Sequence, residues 1–436
     1  MTTTPFFLSG NFAPVMEEVT ATDLPVTGAL PRELAGRFVR NGPNPHTGTS
    51  NHWFIGDGML HGVELHEGHA AWYRNRYVRT RSLSGDGTYV DDQGHVDLTV
   101  DAANTHVVGH AGRILALVEN GYPYEVTPDL DTVGPYDFDG RLRTAMTAHP
   151  KLDPATGELH FFGYGFMPPY LTYHVADAAG TLIHSEEITV RGPTMMHDFN
   201  LTERHVVFMD LPIVFDLDLA MQETMPYRWD DGYGARLGVL PRGGTDADMR
   251  WYEIEPCYVF HPLNAFDGDG TITLDVMRYP KLWAGSNSDF AEDACLTRWT
   301  IDLDGGTVKE EQLDDRGTEF PRVDPRVVGR THRYGYAVQT AGDDMTGVLV
   351  KYGPDGQSQT HDFGRGREAG EPVFVPAADG RAEDEGWIMT YVYDQARDTS
   401  DFVVLDATAF EGPPVASVPL PQRVPAGFHG SWIADA

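Results

Sequence analysis

Four histidines stand in short phrases of distinct character: His149 in Thr-Ala-His-Pro-Lys, His197 in Met-Met-His-Asp-Phe, His261 in Phe-His-Pro-Leu-Asn and His429 in Gly-Phe-His-Gly-Ser. Four neutral imidazoles around one point make a site suited to iron, zinc, copper or nickel. All four have apolar neighbours, whereas surface histidines more often have polar ones. His149 and His261 precede proline, which pushes the preceding residue into extended geometry and removes a backbone donor. That suits a strand end or loop that delivers a side chain inward. The chain has 18 histidines, and most of them must be ordinary surface or hydrogen-bonded residues. The run holding His61, His66 and His69 looks metal-like, but strand alternation followed by a turn places most of it in solvent.

The elements that must position these side chains are strands. Stretches of about 5 to 10 alternating or β-branched residues recur along the chain, bounded by turn chemistry. Residues 159–164, 271–279 and 386–393 are examples, and Asp267-Gly268-Asp269-Gly270 and Asp304-Gly305-Gly306 are two of the turns. Helical periodicity is weak; residues 31–34, 249–255 and 288–294 are the candidate short helices. Many short strands without an evident linker predict an all-β propeller of about 40 to 50 residues per blade, in one domain spanning 1–436. Paired sandwich domains are the alternative. By subtraction the gaps between the four histidines are 48, 64 and 168 residues. These are compatible with different blades meeting at a common axis, which a sandwich lacks.

Composition narrows the partners. Against 32 Lys and Arg stand 65 Asp and Glu, a formal charge of −33. Such a surface repels phosphate backbones and anionic headgroups, so no nucleic acid and at most transient membrane contact are expected. Two cysteines exclude a disulfide framework, and the start of the chain has no signal-like apolar run, which points to the cytoplasm. Leu211-Pro212-Ile213-Val214-Phe215, with Leu217 and Leu219 beyond, is an apolar patch or, more simply, a buried strand. No GxGxxG or P-loop implies a nucleotide cofactor.

Longer phrases add a resemblance. Gly36-Arg37-Phe38-Val39-Arg40-Asn41-Gly42-Pro43-Asn44-Pro45, Gly56-Asp57-Gly58-Met59-Leu60-His61-Gly62-Val63, residues 210–216 and residues 235–242 resemble, in order and over nearly the whole chain, the carotenoid cleavage oxygenase family. This family includes apocarotenoid and lignostilbene oxygenases and the retinal pigment epithelium isomerohydrolase. The resemblance implies a seven-bladed β-propeller with loops and short helices capping the active-site face. It implies one non-haem Fe(II) per chain, held by His149, His197, His261 and His429, with O₂ as co-substrate. Three glutamates of the family match Glu119, Glu319 and Glu371, which hold the outer ring nitrogens of ligating histidines and offset the charge of the metal. The implied reaction is oxidative cleavage of a carbon–carbon double bond into two carbonyl fragments, with no catalytic side chain beyond the metal centre.

One departure bears on the substrate. Lignostilbene-cleaving members carry a lysine just before the first glutamate, where it meets the substrate's phenolic oxygen. Here that position is Val118, which cannot hydrogen-bond a phenol. An apolar carotenoid or apocarotenoid is favoured; stilbene or phenylpropanoid alkenes are the alternative. A non-oxidative isomerohydrolase and a binding-only propeller complete the set of functions. Substrate-binding residues are not legible, although Phe320 and Phe428 adjoin site residues.

Overall fold

The computed structural model describes residues 4–435 apart from 284, 287–289, 291 and 342–343. Alternation along the chain translates into strands with one face inward: in Leu182–Glu187 buried or half-buried and exposed residues alternate. Others, such as Leu171–Ala176, are buried on both faces because other blades pack against them.

Among the described residues the strands form seven antiparallel blades. Blade 1 contains Thr20–Leu24, His69–Tyr77, Met59–His66 and Gly36–Arg40, and Gly430–Ala434 from the chain's far end adds its inner strand. Blade 2 runs from His106–His110 to Thr132–Pro135, and blade 3 from Lys151–Leu152 to Leu182–Glu187. Blade 4 joins Phe199–Leu201, His205–Asp210, Ala235–Pro241 and Arg250–Ile254. Blades 5 and 6 share the 16-residue strand Thr307–Arg322. Its first part pairs with Cys295–Asp302 and its last part with Gly335–Ala341. Blade 7 is built around Gly386–Asp394 and Thr399–Asp406, and Thr27–Gly28 adds to its outer strand Ala416–Pro419.

Inner strands of successive blades neighbour one another: Gly430–Ala434 beside His106–His110, Phe199–Leu201 beside Tyr258–Asp267, and the latter beside Thr307–Arg322. They define an axis. The ring is closed at both ends of the chain. At the outer closure Gly28 has φ 85°, and a Cβ there would lie 2.2 Å from the Val415 carbonyl oxygen, so only glycine fits.

The expected propeller is observed, with two corrections in detail. Residues 249–255 do not form a helix: Arg250–Ile254 is the edge strand of blade 4. Tyr252 is buried there, and the Arg236 guanidinium lies 3.8 Å from the Trp251 ring centroid, so cross-strand packing outweighs weak helical periodicity. Residues 31–34 form a turn; of the helix expected over 288–294, residues 290 and 292–294 are not helical and the other three lie outside the described residues. The one α-helix among the described residues is Leu217–Met221, started by the Asp216 carboxylate, which accepts from the Asp218 and Leu219 amides. No helix among them is long and apolar enough to cross a membrane.

Blades 1 and 7 are joined by packing as well as by strand addition. Phe38 is buried, with its ring 5.1 Å from Tyr391 and 5.5 Å from Phe402. Phe38→Ala is expected to lower the unfolding free energy by about 3–5 kcal/mol, measured as a lower denaturation midpoint with unchanged strand content.

Candidate metal centre

Each blade contributes one member to a cluster on the axis. His429 precedes the inner strand of blade 1, and Glu119 follows Arg113–Leu117 of blade 2. His149 precedes Lys151–Leu152 of blade 3, His197 precedes Phe199–Leu201 of blade 4, and His261 lies within Tyr258–Asp267 of blade 5. Glu319 stands near the end of Thr307–Arg322 in blade 6, and Glu371 precedes Val373–Pro376 of blade 7. His261 is therefore not at an element end. It sits where the register breaks between Val259 and Pro262, and the bulge turns its ring out of the ladder toward the axis. A second break, between Glu319 and Arg322, does the same for Glu319. His197 and Phe320 hold φ of 45° and 54°, a left-handed backbone that non-glycine residues adopt at a cost of about 1–3 kcal/mol.

The four imidazoles converge. Ring centroids of His149 lie 4.4 Å from His197, 5.1 Å from His261 and 4.6 Å from His429. His261 and His429 are 4.7 Å apart. One ring nitrogen from each of His149, His197 and His261 lies within 4.8 Å of the other two. The outer nitrogens explain the orientation. His197 Nδ1 is 2.5 Å from Glu119 Oε1, His261 Nδ1 is 2.6 Å from Glu319 Oε2, and His429 Nδ1 is 2.8 Å from Glu371 Oε1. The Nδ1–H groups of His261 and His429 donate to carboxylates and His197 Nδ1 faces a third, which leaves each Nε2 toward the axis.

These inward lone pairs require a cation. His197 Nε2 and His261 Nε2 stand 3.3 Å apart with no proton assigned between them by this network. His149 Nε2 is buried without a hydrogen-bond partner. Burial and the neighbouring imidazoles keep His149 far below the ordinary imidazole pKa; burial does the same for His429. Burial also opposes protonation of His197, but Glu119 outweighs it and raises that ring above the usual value. Neutral nitrogen donors with anionic groups behind them fit one divalent transition ion, iron among them.

The outer groups are themselves held. Burial opposes ionisation of Glu371, yet Arg322 and His429 keep its carboxyl well below the usual range. Arg322 donates Nε and one terminal nitrogen to its two oxygens, at 2.8 and 3.0 Å. The Tyr164 hydroxyl donates to Glu119 Oε2. A fifth histidine, His106, lies beside the cluster, but its Nδ1 donates to the Ala148 carbonyl at 2.7 Å. Its Nε2 is 3.2 Å from Arg322, so His106 supports the ring of groups and offers it no lone pair. Tyr164, Arg322 and His106 carried no signal in the sequence beyond Arg322's place three residues after Glu319.

His61 departs from expectation. It is buried, and its Nδ1 bonds the Tyr73 hydroxyl at 2.9 Å, while His66 and His69 face each other in solvent at the end of the hairpin. Another acidic group, Asp153, Glu158 and His160, already holds a cation, the Arg242 guanidinium, at 2.6, 3.1 and 2.7 Å.

A cavity of 680 Å³ opens onto the cluster through His197, His261 and His429. Its walls near the histidines are Trp53, Phe54, Phe260, Phe290, Phe320 and Phe428. Val118 lines it too, and is buried. At the far end lie Phe215, Leu217 and Met221. The strand Ile213–Phe215 is mostly buried, as the simpler alternative held, but Leu217 and Met221 are 65% and 77% exposed.

A sequence model of the family described as retinal pigment epithelial membrane protein matches residues 12–434. The carotenoid cleavage oxygenase of Mycobacterium tuberculosis strain H37Rv is 41% identical, over 98% of this chain and 97% of the relative. The chain belongs to the carotenoid cleavage oxygenase family. Within the family it is also 35% identical to carotenoid 9,10(9′,10′)-cleavage dioxygenase 1 of Arabidopsis thaliana, over 98% of this chain and 90% of the relative. Among solved structures, a lignostilbene dioxygenase of Pseudomonas brassicacearum superposes with a TM-score of 0.89 at 30% identity, covering 99% of this chain and 100% of the other. Cobalt-substituted apocarotenoid oxygenase of Synechocystis gives 0.85 at 26%, covering 97% of each chain.

Replacing the carboxylate behind one ring tests its part in the family's site. Glu371→Gln is expected to weaken iron binding about 10- to 100-fold, measured by competition with a chelator on folded protein.

Proposed function

We propose that this chain is an Fe(II)-dependent oxygenase that cleaves a carbon–carbon double bond of a carotenoid or apocarotenoid with O₂, giving two carbonyl products. His149, His197, His261 and His429 hold one iron, and Glu119, Glu319 and Glu371 orient the last three of these rings. The observation that carries this reading is an aromatic-walled cavity ending on three of four converging imidazoles, with Val118 where a phenol-binding lysine would stand. Bound iron supplies the activation of O₂ needed to break an alkene.

The protein's own part is placement and exclusion. Phe320 stacks on His261 with centroids 5.4 Å apart, and Phe428 meets Trp53 and Phe54 at 5.2 and 5.4 Å. These faces hold a flat polyene against the cluster by dispersion and keep bulk water away. Val118 continues the apolar wall. Glu119 accepts from both His197 and Tyr164, so the ring and one tyrosine of the cavity wall are set by the same carboxylate.

Residues 1–436 act as one domain, because the inner strand of blade 1 comes from the far end of the chain. Exposed Leu217 and Met221 at the far end of the cavity suit transient contact with a bilayer that holds the substrate. The −33 charge opposes tight adhesion to an anionic surface. Free Cys257 and Cys295 suit a cytoplasmic setting.

Oxygen uptake and aldehyde formation by the iron-loaded protein, offered an apocarotenal and a hydroxystilbene side by side, test the proposal. Cleavage of the apocarotenal is expected; cleavage of the stilbene alone would replace the polyene by a phenolic alkene. Val118→Lys is expected to lower kcat/KM for the apocarotenal about tenfold, roughly 1.4 kcal/mol, by placing a charge in the apolar wall. Alanine at any of the four histidines is expected to abolish stoichiometric iron, measured by metal analysis of folded protein.

A further inference from the structure

The cluster borders two cavities, one walled by aromatic rings and one with a larger polar share. Below it, on the side away from the aromatic cavity, lies a second space of 1060 Å³ that also reaches the histidines. His261 and His429 border both cavities, His197 borders only the aromatic one, and His149 borders only the second. Exposed Val133 and Leu152 stand among the second cavity's lining residues, so it opens to solvent. Its lysine and arginines are paired: Arg37 with Asp435 at 2.7 Å, Arg113 with Glu125 at 2.6 Å, Lys151 with Asp198 at 2.8 Å, Arg322 with Glu371 at 2.8 Å and Arg326 with Asp324 at 2.7 Å.

His149 differs from the other three rings. Its Nδ1 lies 3.6 Å from Asp198 Oδ2, beyond a direct hydrogen bond, whereas each of the others is clamped to a glutamate. Asp198 is committed elsewhere, to Lys151 and, at 2.6 Å, to the Phe199 amide. The loosest ring is thus the one facing the polar cavity.

We infer that the metal ion enters and leaves through this axial cavity, with His149 as the ligand that yields and the Lys151–Asp198 pair beside it as the restraint. A hydrated dication moving through the aromatic cavity would exchange its water for aromatic faces, with few groups to replace the lost hydration. The axial cavity opens to solvent and offers carboxylates, and its lysine and arginines are each paired with one, within a chain whose net charge attracts cations. Separate routes let the metal exchange while the aromatic cavity is filled.

Cobalt(II) is the probe, followed by its visible absorption during uptake by the metal-free chain and loss to EDTA. Gly109→Trp places an indole at the axial cavity: a Cβ there meets only Ile433 side-chain atoms at 3.6 and 3.9 Å and the Arg113 carbonyl oxygen at 4.0 Å. Val108→Trp on the same strand is the second variant. Both are expected to slow uptake and loss by an equal factor, leaving the affinity unchanged, as narrowing a path requires. Asp198→Asn is expected to speed loss about tenfold. An apocarotenal filling the aromatic cavity without O₂ is expected to leave the loss rate as it was. Loss slowed by the apocarotenal and indifferent to both tryptophans would assign the route to the aromatic cavity and overturn the inference; so would loss indifferent to all of them. The route presupposes that the four histidines bind the metal, and failure of that premise is distinct: the wild-type chain would then take up no stoichiometric cobalt at all.

Discussion

Pairing of the two chain ends is the constraint on which everything else in this protein depends. Gly36–Arg40 lies between Met59–His66 and Gly430–Ala434, so the first blade is incomplete until the last strand arrives. A row of blades has no axis; a closed ring does. His429 immediately precedes the closing strand, and its amide donates to the Thr105 carbonyl at 3.1 Å. The step that closes the ring therefore also delivers the fourth imidazole. The same pairing brings Gly430 under Glu371, which accepts from its amide at 2.8 Å. Closure of the fold and completion of the site are one event.

Electrostatics explains why the carboxylates are as necessary as the rings. Four imidazoles crowded in a low-dielectric interior would repel as cations and would leave bare nitrogens as neutral bases. Donation from Nδ1–H to a glutamate fixes the tautomer and turns the lone pair inward. A buried glutamate needs its own support: Arg322 for Glu371, the Tyr164 hydroxyl for Glu119 and the Phe320 amide for Glu319. Polar order thus spreads outward from the axis. It stops abruptly on one side, where aromatic rings form the walls of the first cavity.

The two cavities divide the work that a metal-dependent alkene-cleaving enzyme must do. The aromatic one suits an apolar chain and excludes bulk water. The axial one is the more polar, with His149, His261 and His429 and several ion pairs bordering it. A propeller supplies both from a single ring of blades, since loops shape one face and inner strands shape the channel.

The strands and the four histidine phrases were legible along the chain, and the family resemblance singled out the seven residues that the structure gathers on the axis. Strand alternation is a local property, and the phrases around His149, His197, His261 and His429 are local too. Partnership is not. His261 and Glu319 are separated by 58 residues, as are Glu371 and His429. In one pair the carboxylate lies on the following blade, and in the other it precedes a ring reached only through closure. Nothing in the spacing tells these apart. His61 looked solvent-facing by alternation, yet its side faces the Tyr73 hydroxyl in the interior. Residues 249–255 read weakly as helix until an adjacent strand claimed them. Asp198 stands next to His197 in sequence, but its 3.6 Å gap to His149 on another blade exists only in three dimensions. Identity and local conformation are written along the chain; distances across the axis are set by register, bulges and the closing strand, and those only the assembled ring decides.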